Sequence, residues 1–216
     1  MTSHVFLFDL DGTLVDSRVV IARHWALFAE RHSLELAPIL AVCHGRRSAD
    51  TIAEVAPSLD ALAEAAVLDA GEESDVDGLV LVPGAAELLD RLDPSSWGIV
   101  TSGHLALARR RLEAVGLPVP DVLVTGDAVE QGKPHPEVFL RAAGALGVEP
   151  AACVVVEDAP AGVAAGRAAG ARVVVGVTTT HPAEALREAD IVVPDLQGLD
   201  GALEARPLRV SPAPRP

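Results

Sequence analysis

The sequence is poor in aromatic residues, cysteine and lysine. Its 216 residues include two Trp, four Phe, no Tyr, two Cys and a single Lys. So few aromatic side chains argue against binding of single-stranded nucleic acid through base stacking. Cys43 and Cys153 lie far apart in apolar stretches, which is not the pattern of a disulfide framework.

Positive charge and long apolar runs are also scarce. The formal net charge is -14 at pH 7, so the chain should repel nucleic acid and anionic membrane surfaces. No stretch is long and uncharged enough to span a membrane. The first apolar run, from Val5, has no basic leader and is interrupted by Asp9 and Asp11. We expect a cytoplasmic protein with a small-molecule partner, and a monomer or weak dimer.

Short, continuous apolar runs recur along the chain and end in acidic, Thr or Gly residues. Such runs are typical of strands buried on both faces of a parallel sheet, and helical patterns lie between the later ones. This alternation predicts an α/β fold with a doubly wound parallel sheet. The predicted strands are 5–8, 98–100, 122–124, 154–156, 173–175 and 191–193, and the predicted helices are 83–92, 105–115, 136–146 and 161–169.

The interval 17–79 differs from the rest because it has almost no strand-like run. Its apolar residues repeat at helical spacing, closely for the first three and roughly for the others: Ile21, Trp25, Phe28, Leu59, Leu62, Ala66 and Leu68. We predict a helical domain at 17–79 inserted into a core domain formed by 1–16 and 80–205. The Pro- and Arg-rich end, 206–216, is predicted to be disordered.

Two carboxylates, Asp9 and Asp11, directly follow the first predicted strand. The carboxyl end of such a strand opens into the crevice where α/β sheets bind ligands. Two acids there raise the electrostatic energy unless a cation offsets them. Mg²⁺, which prefers oxygen ligands, fits this pair together with one further carboxylate. Gly12 permits the sharp turn that must follow.

The segment FDLDGTLVDS, which contains both acids, resembles the first motif of the haloacid dehalogenase-like phosphohydrolase superfamily. Three further motifs follow in the order of that family: Thr101-Ser102-Gly103 after a predicted strand, Lys133 within GKPHP, and Glu157-Asp158 within VVVEDAPAG. The resemblance covers nearly the whole chain. It implies a Rossmann-like core with an inserted helical cap, and a magnesium-dependent phosphatase that forms an aspartyl phosphate.

The resemblance also implies catalytic roles. Asp9 would be the nucleophile that attacks phosphorus. Asp11 would act first as general acid and then as general base, with its backbone carbonyl on the metal. Lys133 would neutralise charge on the phosphate and on Asp9. Because Lys133 is the only lysine among many arginines, a compact ammonium is indicated at this position.

The remaining motifs are expected to bind phosphate and metal. Hydroxyl and backbone N–H groups of Thr101, Ser102 and Gly103, together with Lys133, would hold the phosphate at a helix N-terminus. The expected metal site comprises Asp9, Asp11, Asp158 and Glu157, with Glu157 either a ligand or a partner of one. Gly162, Gly166 and Gly170, which recur every four residues after this motif, are interpreted as close helix packing without chemistry.

The stretch His44-Gly45-Arg46-Arg47-Ser48 is the most unusual part of the insertion. It resembles the substrate-specificity loop of the 2-deoxyglucose-6-phosphate and glycerol phosphate phosphatases. This resemblance implies a sugar or polyol phosphate as substrate, with Arg47 as the first choice for a substrate contact and His44 and Arg46 behind it. A solvated basic loop is the alternative interpretation.

Two other functions remain open at this point. A phosphomutase resembling β-phosphoglucomutase would use the same Asp9 and Asp11 but return the phosphate to the sugar. A non-catalytic phosphate-binding regulatory protein is also conceivable, although it would have no need of Asp11. Phosphate release separates hydrolysis from both.

Overall fold

A six-stranded parallel sheet forms the centre of the computed structural model, which describes residues 4–205. The predicted disordered tail, 206–216, lies outside these residues. The strand order is β5-β4-β1-β6-β7-β8, and a short antiparallel pair, β2 and β3, lies apart from the sheet. The strands are β1 Val5–Phe8, β2 Val15–Asp16, β3 Val80–Leu81, β4 Trp97–Val100, β5 Leu123–Val124, β6 Cys153–Glu157, β7 Val173–Val177 and β8 Ile191–Val193.

Helices cover both faces of the sheet and fill the interval between β2 and β3. Within residues 4–205 they are α1 Arg18–His32, α2 Leu36–Cys43, α3 Ser48–Val55, α4 Ala61–Ser74, α5 Ala85–Leu89, α6 Leu105–Val115, α7 Glu137–Ala145, α8 Pro160–Ala168 and α9 Leu199–Glu204. Short 3₁₀ turns occur at Pro94–Ser96, Gly126–Ala128 and Pro150–Ala152.

The central strand β1 is buried on both faces, as its continuous apolar run predicts. Phe6 and Phe8 belong to one apolar cluster, whereas Leu7 between them belongs to the cluster on the opposite face. Each fully buried side chain of this size contributes about 1.5–3 kcal/mol relative to exposure. The predicted α/β fold with a doubly wound parallel sheet is confirmed, and each of the six strands lies within two residues of its predicted bounds.

The position of β1 determines where a site can form. It pairs with β4 on one side and β6 on the other, so the strand order reverses there. Ligands of open α/β sheets bind at such a reversal, beyond the carboxyl ends of the strands. The segments that follow β1, β4 and β6 therefore meet at one edge.

The helical insertion, residues 17–79, contains α1 to α4 and has an apolar cluster of its own, which includes Trp25, Phe28, Ile39 and Ile52. The chain enters and leaves it through the paired strands β2 and β3, where Val15 lies opposite Leu81. Strands of two residues are too short to show alternation, so the sequence does not reveal this pair. The exact division into two domains stays a prediction.

The apolar repeat that predicts α4 marks its buried face only at Leu68. Leu62 is 77% exposed, and Ala66 is also exposed. The buried residues of α4 are Ala65, Leu68 and Glu72. The helix therefore directs a carboxylate inward, a position that hydrophobic spacing alone cannot identify.

Across residues 4–205, every helix is too short or too polar to cross a lipid bilayer.

Candidate active site

A small cavity of about 50 Å³ lies between the carboxyl edge of the sheet and the helical insertion. The core contributes the acids that follow β1 and the loop that follows β4, while the insertion contributes the other wall. Most of the predicted site residues meet here. Lining residues include Asp9, Asp11, Thr101, Ser102, Gly103, His44 and Arg46, together with the unpredicted Asp69, Glu72 and Arg111.

Lys133 is buried beneath this cavity, with 1% of its surface exposed. Its Nζ lies 2.6 Å from Asp9 Oδ1, 2.6 Å from Glu157 Oε1 and 3.2 Å from the carbonyl of Val100. An ammonium has three donors and no acceptor, so these contacts use its full capacity. Burial by itself lowers the pKa of Lys133, but the two carboxylates outweigh it and raise that pKa above its ordinary value. Lys133 is therefore a fixed positive charge.

Asp9 has one oxygen bound to Lys133 and a second with no hydrogen-bond partner among residues 4–205. Burial raises the pKa of Asp9 well above its ordinary value; Lys133 lowers it, while Glu157 and Asp158 raise it further. A cation beside Oδ2 would counter burial and favour the carboxylate. The free oxygen is thus available to a metal or to phosphorus.

Glu157, at the end of β6, is fully engaged by the protein. Oε1 accepts from Lys133, and Oε2 accepts backbone N–H groups of Asp158 at 3.1 Å and Ala159 at 3.2 Å. Asp158 differs because its Oδ1 has no hydrogen-bond partner within the described chain. Burial first, and Glu157 second, raise the pKa of Asp158 well above its ordinary value.

Gly12 is needed for the approach of Asp158. Its φ of +81° lies in the left-handed region, as expected for the sharp turn after the acids. A Cβ at Gly12 would lie 2.0 Å from Asp158 Oδ2. The glycine of the first motif therefore makes room for an acid of the last one.

One acidic group in residues 4–205 has the arrangement of a metal site. Oxygens of Asp9, Glu157 and Asp158 all lie within 4.8 Å of one another, and all three residues are buried. The unpartnered oxygens of Asp9 and Asp158 are the kind of ligand that a hard divalent cation binds. The residues present therefore fit a divalent metal ion.

In the loop after β4, the hydroxyl of Ser102 has a protein partner, although the sequence predicts that it binds phosphate. The Ser102 hydroxyl donates a hydrogen bond of 2.9 Å to the carbonyl of Gly45 in the insertion. Thr101 Oγ1 accepts the N–H of Gly103 at 3.1 Å, which shapes the turn before α6. In this conformation the serine hydroxyl therefore contacts the insertion, and both residues still line the cavity.

Asp11 lies next to a buried arginine that the sequence does not single out. Arg111 Nη1 is 2.5 Å from Asp11 Oδ1, and its Nη2 pairs with Glu72 of α4. Ser17 also donates its hydroxyl to Asp11 Oδ1, at 2.7 Å. Arg111 stands in the run Arg109-Arg110-Arg111, where the sequence gives no sign that the third arginine points inward. Helical spacing from the buried Leu107 and Ala108 is the one clue available.

The basic loop of the insertion divides between two surfaces. His44 and Arg46 line the cavity, and Arg46 pairs with Glu54 at 2.6 Å. Burial, with a smaller contribution from His181, lowers the pKa of His44 to about 4, so its ring is neutral near pH 7.

Arg47, the first choice for a substrate contact, is not among the residues that line this cavity. Its Nε lies 2.7 Å from Asp50, and its Nη1 donates to the carbonyls of Val129 at 3.4 Å and Glu130 at 3.2 Å. The loop's spacing predicts a basic turn but does not determine the direction of each side chain. In this conformation Arg47 connects the insertion to the core.

Known proteins resemble this chain over most of its length. Residues 4–170 match the family model described as haloacid dehalogenase-like hydrolase. Hexitol phosphatase A of Escherichia coli (strain K12) is 42% identical over 197 residues, which cover 89% of this chain and 91% of the relative. Glycerol-1-phosphate phosphohydrolase 2 of Saccharomyces cerevisiae is 35% identical over 206 residues, covering 87% and 80%. A hydrolase structure from Pseudomonas syringae has a TM-score of 0.85 at 29% identity, covering 94% of this chain and 100% of that one.

Proposed function

Because the chain belongs to the haloacid dehalogenase-like hydrolase family, we propose that it hydrolyses the phosphate monoester of a small sugar or polyol. The observation that carries this proposal is the state of Asp9. One of its oxygens is fixed by Lys133 and the other has no hydrogen-bond partner in the described structure, at the wall of a cavity. The family inferred from the motifs is confirmed.

In the first step, the Asp9 carboxylate attacks phosphorus and the bond from phosphorus to the leaving oxygen breaks. Asp11 gives its proton to that oxygen, so the sugar or polyol departs as a neutral alcohol. Asp9 then carries the phosphoryl group as an acyl phosphate. Lys133 stays charged and offsets the negative charge on Asp9 and the transferred group.

In the second step, water attacks the phosphorus of the acyl phosphate. Asp11, now a carboxylate, accepts a proton from the water as the bond between Asp9 and phosphorus breaks. The products are inorganic phosphate and the free Asp9 carboxylate. Both steps use the same acid pair, which a protein that only binds phosphate would not require.

A divalent metal, which we propose to be Mg²⁺, would be held by Asp9, Asp158 and the backbone carbonyl of Asp11. When bound, it supplies positive charge that favours ionised Asp9 and attracts the phosphate. Glu157 would act indirectly, because its oxygens already bind Lys133 and two backbone N–H groups. It would keep Lys133 and Asp158 in place.

The cavity wall beyond the acid pair supports a leaving group rich in hydroxyls. Ser48 donates its hydroxyl to Asp69 at 2.5 Å, and Arg46 stands nearby as a donor. These donors and acceptors can form hydrogen bonds with the hydroxyl groups of a substrate in place of those they now form with one another. We propose that the helical insertion acts as a cap, with His44 and Arg46 nearer to substrate than Arg47. We also propose that the protein is cytoplasmic and that it is a monomer or weak dimer.

Phosphate release from a panel of metabolite phosphates, with and without Mg²⁺, tests this function. The panel contains glycerol-3-phosphate, 2-deoxyglucose-6-phosphate, hexose and pentose phosphates, and β-glucose-1-phosphate. We expect metal-dependent release from sugar or polyol phosphates. Conversion of β-glucose-1-phosphate into glucose-6-phosphate without release would instead identify a mutase.

Asp9→Asn should reduce turnover at least about 10³-fold, because an amide is a very poor nucleophile. Asp90→Asn is the matched control, since Asp90 is exposed on the core far from the acid pair in sequence. Far-ultraviolet circular dichroism establishes that both variants fold. Turnover by Asp9→Asn at the wild-type rate would contradict the nucleophile assignment.

A further inference from the structure

Arg111 is 3% exposed, whereas Arg109 and Arg110 beside it on α6 are exposed. A guanidinium has to be paired when buried, because removing it from water carries a large free-energy penalty. Arg111 lies between two acidic side chains, Asp11 at 2.5 Å and Glu72 in direct contact. The two acids raise the pKa of Arg111 more than burial lowers it, so it remains charged.

The two acidic side chains belong to different parts of the molecule. Asp11 follows β1 in the core, and Glu72 lies near the end of α4 in the insertion. Glu72 lies on the buried face of α4, where the other buried residues, Ala65 and Leu68, are apolar. A carboxylate is favourable at that position only while Arg111 is within reach. The contact between Glu72 and Arg111 therefore depends on the insertion lying against the core.

Arg111 also determines how Asp11 is presented. Arg111 and Ser17 both bind Asp11 Oδ1, at 2.5 and 2.7 Å. No hydrogen bond to Oδ2 occurs among residues 4–205, and Asp11 lines the cavity. One oxygen of the carboxylate is thus fixed and the other is left for the reacting group.

We propose that Arg111 and Glu72 are positioning residues for Asp11, so that seating of the insertion on the core aims Asp11 Oδ2 at the leaving oxygen. This inference rests on the proposed phosphatase function, since it assigns Asp11 the proton transfer. Arg111 acts through Asp11, and Glu72 acts through Arg111. Neither residue exchanges a proton with substrate.

The leaving group provides a readout that a purely structural role would not change. The proton from Asp11 matters for glycerol-3-phosphate, whose alkoxide is a poor leaving group, and matters little for p-nitrophenyl phosphate. Because Asp11 also serves as the base of the second step, which is the same for both substrates, the quantity to compare is the rate of alcohol or phenol release in the first turnover. General acid catalysis contributes about 10²–10⁴-fold, so we expect Arg111→Gln to lower this rate about 100-fold for glycerol-3-phosphate and under about 10-fold for p-nitrophenyl phosphate. Glu72→Gln keeps the side-chain size. It should lower the same rate about 10-fold for glycerol-3-phosphate and less for p-nitrophenyl phosphate.

Arg110→Gln is the matched control, because Arg110 pairs at the surface with Glu113 on the same helix. It should leave both rates unchanged. The double variant Glu72→Gln/Arg111→Gln should be no slower than Arg111→Gln alone, because the two residues act along one path. Equal losses of the first-turnover rate on both substrates, or a change confined to KM, would overturn the proposal.

How closely the insertion packs against the core can be measured without turnover. Trp25 lines the cavity and is the only tryptophan left in a Trp97→Phe background. Its quenching by acrylamide, with Mg²⁺ and inorganic phosphate present, should increase in Glu72→Gln and Arg111→Gln and stay constant in Arg110→Gln. Unchanged quenching in both site variants would exclude the closure role. If the wild type released no phosphate from any substrate, the phosphatase proposal would fail while this measurement still reported on the contact.

Discussion

Glu157 and Gly162 are so close that a Cβ on the glycine would lie 1.7 Å from Glu157 Oε1. Glu157 cannot retreat, because both of its oxygens are bound. Gly162→Ala should therefore displace the carboxylate and disturb Lys133. We expect a loss of kcat of about 10-fold or more and a loss of stability of about 1–3 kcal/mol, as for overpacked cores.

Gly144→Ala is the matched control for this substitution. Gly144 also lies in a helix, α7, but a Cβ there would meet nothing within 4 Å. This change should stabilise the protein by about 0.5–1 kcal/mol, since alanine is the better helix former. Urea unfolding and phosphate release compare the two variants. Similar behaviour of both would argue against the steric explanation.

Lys133 should be essential for stability as well as turnover. Lys133→Met leaves Asp9 and Glu157 buried without their cation, and loss of one partner of a buried ion pair costs about 3–5 kcal/mol. Adding Glu157→Gln removes one of the stranded charges, so the double variant should be more stable than Lys133→Met. Neither the single nor the double variant should hydrolyse substrate.

The surface pair of Arg141 with Glu137 provides the comparison for Lys133, because its guanidinium is half exposed. Arg141→Met should change the free energy of unfolding by no more than about 1 kcal/mol. Urea unfolding measures all three variants. A Lys133→Met protein as stable as Arg141→Met would refute the buried-charge argument.

Metal binding should stabilise the folded protein through Asp9 and Asp158. A ligand that binds only the folded state at 100 times its Kd adds about 2.7 kcal/mol, so Mg²⁺ should raise Tm and EDTA should reverse the rise. Asp158→Asn should abolish this shift, whereas Asp121→Asn, at an exposed site, should keep it. An equal Mg²⁺-dependent shift in Asp158→Asn would place the metal elsewhere.

Glu72 should make stability depend on pH. Burial raises its pKa to about 7, although Arg111 lowers it and the nearby Asp11 and Asp69 raise it. The folded state therefore binds a proton that the unfolded chain, with its ordinary carboxyl near 4.3, has already released. Between about pH 4.5 and 7, this group makes the free energy of unfolding fall as pH rises, by on the order of 3 kcal/mol in total.

Glu72→Gln isolates this contribution. The free energy of unfolding of the wild type, relative to that of the variant, should be lower at pH 7.5 than at pH 5. Other acids titrate in both proteins and largely cancel from the difference. Urea midpoints at the two pH values suffice, and parallel pH profiles would show that Glu72 does not titrate in this window.

The central sheet could be predicted from the sequence because buried strands of a parallel sheet are continuous apolar runs. Val5–Phe8 was therefore visible, and the acids that follow it had to lie at the carboxyl edge. The pairing of Glu72 with Arg111 could not be predicted in this way. It joins residues 39 positions apart, and neither residue belongs to a periodic pattern.

The glycines after Asp158 show a similar limit. Even spacing suggested one purpose, helix packing, but the structure gives each glycine a separate one. Gly162 makes room for Glu157, Gly166 packs against Val155, and Gly170 adopts a φ of +79° after α8. Close packing is thus found at Gly162 and Gly166, and the absence of a chemical role for these glycines stays a prediction. Likewise, the basic loop was recognisable, but the direction of Arg47 depends on partners at Asp50 and Glu130.

The burial of Lys133 has a consequence for chemical labelling. Since the sequence has no other lysine and this one is 1% exposed, acylating reagents should find no reactive lysine side chain on the native protein. The ammonium becomes accessible only when the site opens. Its rate of modification therefore measures how often that opening occurs, and no engineered label is needed.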